Sequence, residues 1–546
     1  MINKLYNKII ESKKNTIIFI FILALISSIP VFIFPGIKKG HDTYFHLSRI
    51  CALSDNIKNL NFFSGIYPGY FNGYGYANGI FYPDIFLYFP ALLKTIGIDT
   101  VTSYKIFLIL INILSISSIY ISIKGISKNK YASILGSIIY AFTSYRLVDM
   151  YERGALGETL AFIFIPIIIY GIYELLYRDY KKNYLLVIGM SGLILSHIVS
   201  TYMVCILLVI LCLLNIKKLL KEKKRIIYIL ISALITLLIT SYFIFPMLEQ
   251  MTSGNFYYNN TSNNKDFVLA SRTVPIYQLI LEIPNLRNVL TNKYWIPSGI
   301  GIVFVYLIYS KIKHKNIKDK FINDSFILGI FFLFMTTSLF PWNLNVIKKT
   351  LYMIQFPWRF YLLTTILITI AGSILISKIS ESKKFLRNIS FISLISLVSM
   401  IVISAIPPKI LNVVEYDASY AEYLPIEVDR NYIKNRGEVI TSNNKVEHTF
   451  TKKGTTMNIK FKNKGKETYL ELPLIYYKGY EANINNDNLS VFKTQHGFVG
   501  INIDNIKSGS INISYKGTSL SKITKLVSMI SIIIFTIYVK KVNYEK

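Results

Sequence analysis

Apolar runs of membrane length alternate with short basic stretches along most of this chain. A run of about 20 apolar residues crosses a bilayer as helix. The pattern predicts about twelve spans, at 16–35, 101–122, 131–147, 158–177, 184–198, 200–215, 226–246, 297–311, 324–340, 359–378, 388–406 and 521–539. The run 84–97 is shorter, bounded by Pro83 and interrupted by Pro90. It predicts a juxtamembrane or re-entrant helix. Residues 407–520 change period. Met457, Ile459 and Phe461 alternate with polar residues, as do Leu470, Leu472 and Leu474, then Val499, Ile501 and Ile503, then Ile511, Ile513 and Tyr515. Two-residue alternation broken by Gly and Asn clusters predicts an antiparallel β domain with one buried face. The expected fold is a polytopic α-helical membrane protein with a C-terminal extracytoplasmic antiparallel β domain.

Charge placement orients this arrangement. Lysines fall before 16–35, at Lys124, Lys128 and Lys130, at Lys181 and Lys182, from Lys217 to Arg225, from Lys311 to Lys320, at Lys383, Lys384 and Arg387, and at Lys540 and Lys541. These loops are expected inside, with both termini in the cytoplasm. The chain divides into a multi-span membrane domain over 1–406, the β domain over 407–520, and a final helix with a cytoplasmic tail over 521–546. The formal charge of +30 then marks cytoplasmic loops and gives no reason to expect nucleic acid as a partner. With 52% hydrophobic residues and a mean hydropathy of +0.43, the expected location is the cytoplasmic membrane. The first run is long for a signal-peptide core and lacks a small-x-small cleavage site, so it reads as an uncleaved anchor. Cys51, Cys205 and Cys212 form no disulfide framework, and the latter two share one apolar run.

The same topology puts four polar clusters on the outer side. In the outer loop 36–100, Asp42, His46 and Arg49 are spaced to share one helix face. Asp42 can take a proton from a hydroxyl or hold a divalent ion. His46 can orient that group or bind phosphate, and Arg49 suits a phosphate. The plain alternative is an interfacial helix with an Asp42–Arg49 salt bridge. Glu152 and Arg153 follow the run 131–147 and also read as solvated loop charges. Glu158 opens the next helix, where the dipole favours an acid. His197 sits in the tight turn between two runs, a place for a helix-end hydrogen bond. Arg359 follows Phe356-Pro357-Trp358 and starts a membrane helix, where it faces a cavity or headgroup or snorkels to the interface. Trp358 is an interfacial anchor or a ligand contact. The Tyr/Gly-rich stretch 67–82 suits sugar stacking or an interfacial belt, and its glycines suit an ordered loop or a flexible lid.

Taken together, these pieces resemble GT-C-type membrane glycosyltransferases. The nearest likeness is to bacterial YfhO-like proteins and to membrane proteins labelled 6-pyruvoyl-tetrahydropterin-synthase-related. The resemblance rests on His41-Asp42-Thr43-Tyr44-Phe45-His46 with Arg49, on Gly73-Tyr74-Gly75 leading to Tyr82-Pro83, and on Tyr151 through Glu158. Leu195-Ser196-His197, Phe356-Pro357-Trp358-Arg359 and Tyr476 through Tyr480 complete it. The synthase label finds no support, because the six histidines are scattered over both membrane sides and domains. The GT-C likeness implies a GT-C-like membrane fold and a polyprenyl-phosphate-linked sugar as donor. It also implies a cell-envelope glycan or glycolipid as acceptor. It assigns Asp42 to the acceptor or to a divalent metal, and Arg49, Arg153 and Arg359 to the donor phosphate, with His46, Glu152 and His197 lining the site. Many relatives carry paired acids in the first loop, whereas Asp42 stands alone. A transporter or lipid flippase, and a non-catalytic envelope-assembly protein, are the competing readings.

Overall fold

The computed structural model describes residues 12–258, 269–276, 279, 299–379, 383–405, 410–412, 421–441, 446–463, 468–485 and 487–544. Among the described residues, five helices are long and apolar enough to cross a membrane: Thr100–Ser127, Leu156–Tyr177, Lys223–Ser253, Pro357–Ile379 and Ser519–Val542. They match the expected runs at 101, 158, 226, 359 and 521. The other expected spans are shorter helices. Lys13–Ser27 has 15 residues, Lys130–Ala141 has 12, Tyr184–Ile194 has 11 and Ile198–Leu214 has 17. Ile302–Lys313 has 12 and Lys320–Met335 has 16. The exception is Lys383–Ala405, with 23 residues. Most of the expected outer loop 247–296 and residues 406–409 lie outside the described residues.

Burial separates the long helices by role. The helix Pro357–Ile379 has 94% of its apolar window buried, and Ser519–Val542 has 17%. The first is therefore the centre of the helical body and the second its lipid-facing edge. Leu156–Tyr177 packs between Thr100–Ser127 and Tyr184–Ile194, and Tyr361–Ile379 packs on Lys320–Met335 and Lys130–Ala141.

The helix over the run 131–147 ends before the run does. It stops at Ala141, and a short helix Ser144–Val148 and a π-helical turn Asp149–Arg153 follow. Arg146 explains the stop. It is fully buried and donates to the helix-ending carbonyl of Ala141 (3.0 Å), to Ser115 Oγ (2.8 Å) and to Asn112 Oδ1. A cation is favoured at a helix C-terminus, where carbonyls lack intrahelical partners. Irregular backbone near membrane depth is tolerated only when buried like this.

The C-terminal part holds two antiparallel sheets. We number the strands β1 Ile37–Lys38, β2 Ile410–Leu411, β3 Val446–Lys453, β4 Thr456–Asn463, β5 Tyr469–Ile475, β6 Tyr480–Ile484, β7 Asp487–Leu489, β8 Val491–Lys493, β9 Phe498–Asn502 and β10 Ser508–Tyr515. One sheet has the order β3-β4-β10-β6-β7 and the other β5-β9-β8. The alternating residues Met457, Ile459, Leu470, Leu472, Val499, Ile501, Ile511 and Ile513 are all fully buried. The single buried face fits β4, but β5 and β9 are covered on both sides. β2, at the start of the expected β domain, pairs with β1 of the first outer loop.

The tyrosine-rich stretch 67–82 is the seam between the two parts. Tyr67, Tyr70, Tyr74 and Tyr76 are at most 1% exposed. Tyr74 OH donates to Gly437 O (2.6 Å), the amide of Ile475 donates to Tyr74 O (3.0 Å), and the amide of Tyr423 donates to Tyr76 OH (3.1 Å). Phe81 stacks on Tyr423 at 4.8 Å. These rings are packing, so they are neither a lid nor a free sugar-stacking platform.

Candidate active site

Asp42 is the N-cap of the helix Thr43–Lys58, yet its side chain makes no capping hydrogen bond. Its backbone is fixed from both sides: its amide donates to Arg153 O (2.9 Å) and its carbonyl accepts from the amide of His46 (3.1 Å). The approach to Arg153 requires a bare backbone. A Cβ on Gly40 would stand 2.5 Å from Glu152 O and 2.6 Å from Arg153 O. Gly154 has φ +63°, which ends the π-helical turn, and a Cβ there would meet Thr43. The Asp42 carboxylate is thus placed without being used by the fold.

Around it stands a buried acid–arginine cluster. Arg153 Nη1 lies 2.5 Å from Asp149 Oδ1 and 3.0 Å from Glu158 Oε2. Glu158 Oε2 is also 3.6 Å from Arg359 Nε, and Tyr145 OH donates to Glu158 Oε1. Asp149, Arg153 and Glu158 are at most 4% exposed and Arg359 is 8% exposed. Arg359 is aimed by its Nη1, which donates to Ile354 O (3.0 Å) and Gln355 Oε1 (3.0 Å). Burial pushes the Asp42 carboxyl above the ordinary carboxylate range, while Arg153 and then Arg359 pull it back.

His46 and Arg49 share the helix face with Asp42, as the spacing predicts, and they meet at 3.5 Å. The two take different tasks from those expected. Arg49 is 1% exposed and donates to Tyr82 O (3.2 Å) and Pro83 O (2.8 Å), with its Cζ 4.5 Å from the centre of the Tyr82 ring. It clamps the chain after the tyrosine-rich stretch, and among the described residues it forms no salt bridge with Asp42. His46 is buried, and burial followed by Arg49 holds its imidazole well below the usual histidine range.

His197 caps the helix Ile198–Leu214 through Nδ1, which accepts from the Ser200 amide (3.3 Å) and hydrogen-bonds Ser200 Oγ (2.7 Å). The helix-end role expected of it is present. Its ring also reaches the cluster, since a Cβ on Gly157 would stand 3.1 Å from His197 Cδ2. Glu152 points the other way and forms an ion pair with Lys38 at 2.7 Å. That pair ties the π-helical turn to β1 at the rim. Trp358 is buried, 6% exposed, and stacks on Phe356.

The sequence reading missed Asp149, Tyr145 and the central position of Glu158. A helix N-terminus explains an acid there well enough to hide a second use. The usable signal was three acids and an arginine, Asp149, Glu152, Glu158 and Arg153, within ten residues of a mostly apolar stretch. Among the described residues, no three His, Cys, Asp or Glu side chains gather as a metal site. Asp149 and Glu158 are committed to arginines, so a divalent ion at Asp42 does not fit this donor set.

Comparison with known proteins places these residues in context. Residues 85–420 match the family described as "Bacterial membrane protein YfhO". A protein of Lactococcus lactis subsp. cremoris strain MG1363, described only as an uncharacterized protein, is 24% identical over 351 residues, which cover 61% of this chain and 55% of that one. The cryo-EM structure of the arabinofuranosyltransferase AftD from Mycobacteria matches with a TM-score of 0.37 and 12% identity over 71% of this chain and 27% of AftD. The chain thus spans about half of the first relative and about a quarter of the second.

Proposed function

The chain belongs to the YfhO family of bacterial membrane proteins, and from that premise we propose that it is a GT-C-like membrane glycosyltransferase. It moves a sugar from a polyprenyl-phosphate donor to a cell-envelope glycan or glycolipid on the outer side of the cytoplasmic membrane. The observation that carries this reading is the placement of an uncommitted carboxylate, Asp42, beside Arg153 and Arg359.

In this mechanism an acceptor hydroxyl gives its proton to the Asp42 carboxylate as its oxygen bonds to the anomeric carbon. The bond from that carbon to the phosphate oxygen breaks, and the electron pair leaves with polyprenyl phosphate. The departing anion is stabilised by Arg359, supported by Arg153, in a site sheltered from water. Glu158 holds the two guanidinium groups in one place. Tyr82, whose hydroxyl burial pushes up to about 12, stays protonated beside the cluster. The charges gather at helix ends and turns, and a lipid flippase would instead need them along a crossing path. We also place twelve spans, cytoplasmic termini and an outer β domain on the lysine pattern.

The test is purified protein supplied with a panel of polyprenyl-phosphate sugars, read by release of free polyprenyl phosphate. Release from one donor with an envelope acceptor supports the reading. No release from any donor, together with lipid movement in proteoliposomes, replaces it with transport.

A further inference from the structure

A second arginine faces the aromatic ring that supports Arg359. Arg272 closes the short helix Leu269–Arg272, and its Cζ lies 4.8 Å from the centre of the Phe356 ring. The Cζ of Arg359 lies 5.2 Å from the same centre. Phe356 also stacks on Trp358, with ring centres 4.4 Å apart. Two guanidinium groups on one ring raise the positive potential at this turn.

The turn carries buried donors without acceptors. Trp358 Nε1 and Arg359 Nε are buried and, among the described residues, have no hydrogen-bond partner. The carboxylate nearest Arg359 Nε, on Glu158, is 3.6 Å away and already bound by Arg153 and Tyr145. A buried N–H without an acceptor is costly. Two of them beside two cations describe a place built for an anion with several oxygens, and guanidinium suits phosphate best.

We propose that Arg272, Trp358 and Arg359 form a phosphate-binding subsite on Phe356, with Arg272 as a substrate-binding residue of the site described above. This rests on the glycosyl-transfer reading, and it adds a residue from a separate segment. The chemistry recognised is a phosphate monoester or diester, either on a lipid or free. The segment Pro341–Arg359 exposes Leu344 and Val346, at 57% and 73%, which favours the lipid form.

The experiment measures retention of radiolabelled undecaprenyl phosphate by the full chain in detergent, with inorganic phosphate as a separate competitor. Loss of one charge-assisted contact predicts that Arg272→Gln weakens binding about tenfold, and Trp358→Phe weakens it less. Arg178→Gln, which removes a cation from the Tyr173 ring elsewhere, leaves binding unchanged. Equal melting temperatures and elution volumes confirm that the variants fold. Competition by millimolar inorganic phosphate identifies the phosphate group itself as the recognised part, and no competition identifies the lipid ester. Wild-type affinity in Arg272→Gln, or no retention by the unaltered protein, overturns the proposal. Retention that depends on Arg272 in a protein that transfers no sugar keeps the subsite and removes the transferase reading.

Discussion

The backbone amide of Asp42 donates to the carbonyl of Arg153 over 2.9 Å, so the candidate base is set by main chain against the candidate phosphate residue. Gly40 makes this approach possible. Replacing Gly40 by Ala puts a methyl group about as close to Glu152 O and Arg153 O as a covalent second neighbour, and the strand must move away. A shift of about 1 Å in a reacting group costs about a hundredfold in rate. The expected result for Gly40→Ala is that loss in polyprenyl phosphate release, with the protein still inserted in the membrane.

Glu158 is held by Arg153 at 3.0 Å and Arg359 at 3.6 Å, so it is the anion that lets two buried cations coexist. Glu158→Gln leaves Arg359 without its carboxylate and Arg153 with Asp149 alone. Removing one partner of a buried charge cluster costs about 3–5 kcal/mol. A clear drop in melting temperature in detergent is expected, and an unchanged melt would show that the cluster is not held by this carboxylate.

In the proposed mechanism Asp42 sets the acid limb of activity. Burial raises its carboxyl, and Arg153 and Arg359 oppose the rise. The base form is the unprotonated one, so kcat/KM climbs with pH through a midpoint above the ordinary value of about 4. Arg359→Gln removes an opposing charge and moves that midpoint to higher pH. The folded chain also holds this proton to higher pH than the unfolded chain. Its contribution to stability is therefore complete below the unfolded value and is lost as pH rises through the folded one. A pH–rate profile of both proteins checks the direction.

The β domain is joined to the site through Phe81, which stacks on Tyr423 at 4.8 Å and meets Phe256 edge-on at 5.0 Å. Arg49 grips the next two carbonyls, Tyr82 O and Pro83 O, so the seam and the site share one strand of chain. Truncation to Phe81→Ala is expected to cost about 3–5 kcal/mol. The β domain should then be released faster by limited proteolysis, with transfer weakened as Tyr82 moves.

Legibility in the sequence followed periodicity. Five membrane-length helices and the alternating strands β4 and β10 were readable because their repeats match a single environment. The helix end at Ala141 was not legible, because hydropathy does not register a buried Arg146 donating to the Ala141 carbonyl. The tyrosine-rich stretch was ambiguous for a related reason, since rings that pack a domain seam have the composition of rings that bind sugar. At the site, Asp42, Arg153 and Arg359 were legible as polar residues at helix ends. Arg49 and His46 share the predicted face, but only their neighbours, Tyr82 O, Pro83 O and a dry surrounding, decide what each does. Glu152 and Glu158 are six residues apart and look alike as letters; the π-helical turn between them sends one to Lys38 at the rim and the other to the centre.

The most direct measurement compares polyprenyl phosphate release by unaltered protein and Asp42→Asn, with equal amounts in the membrane and a donor that the unaltered protein uses. A positioned base contributes about a hundredfold or more. A loss of at least that size, with donor binding retained, is the expected result. Release by Asp42→Asn at the full rate would contradict the assignment of this carboxylate and, with it, the proposed chemistry.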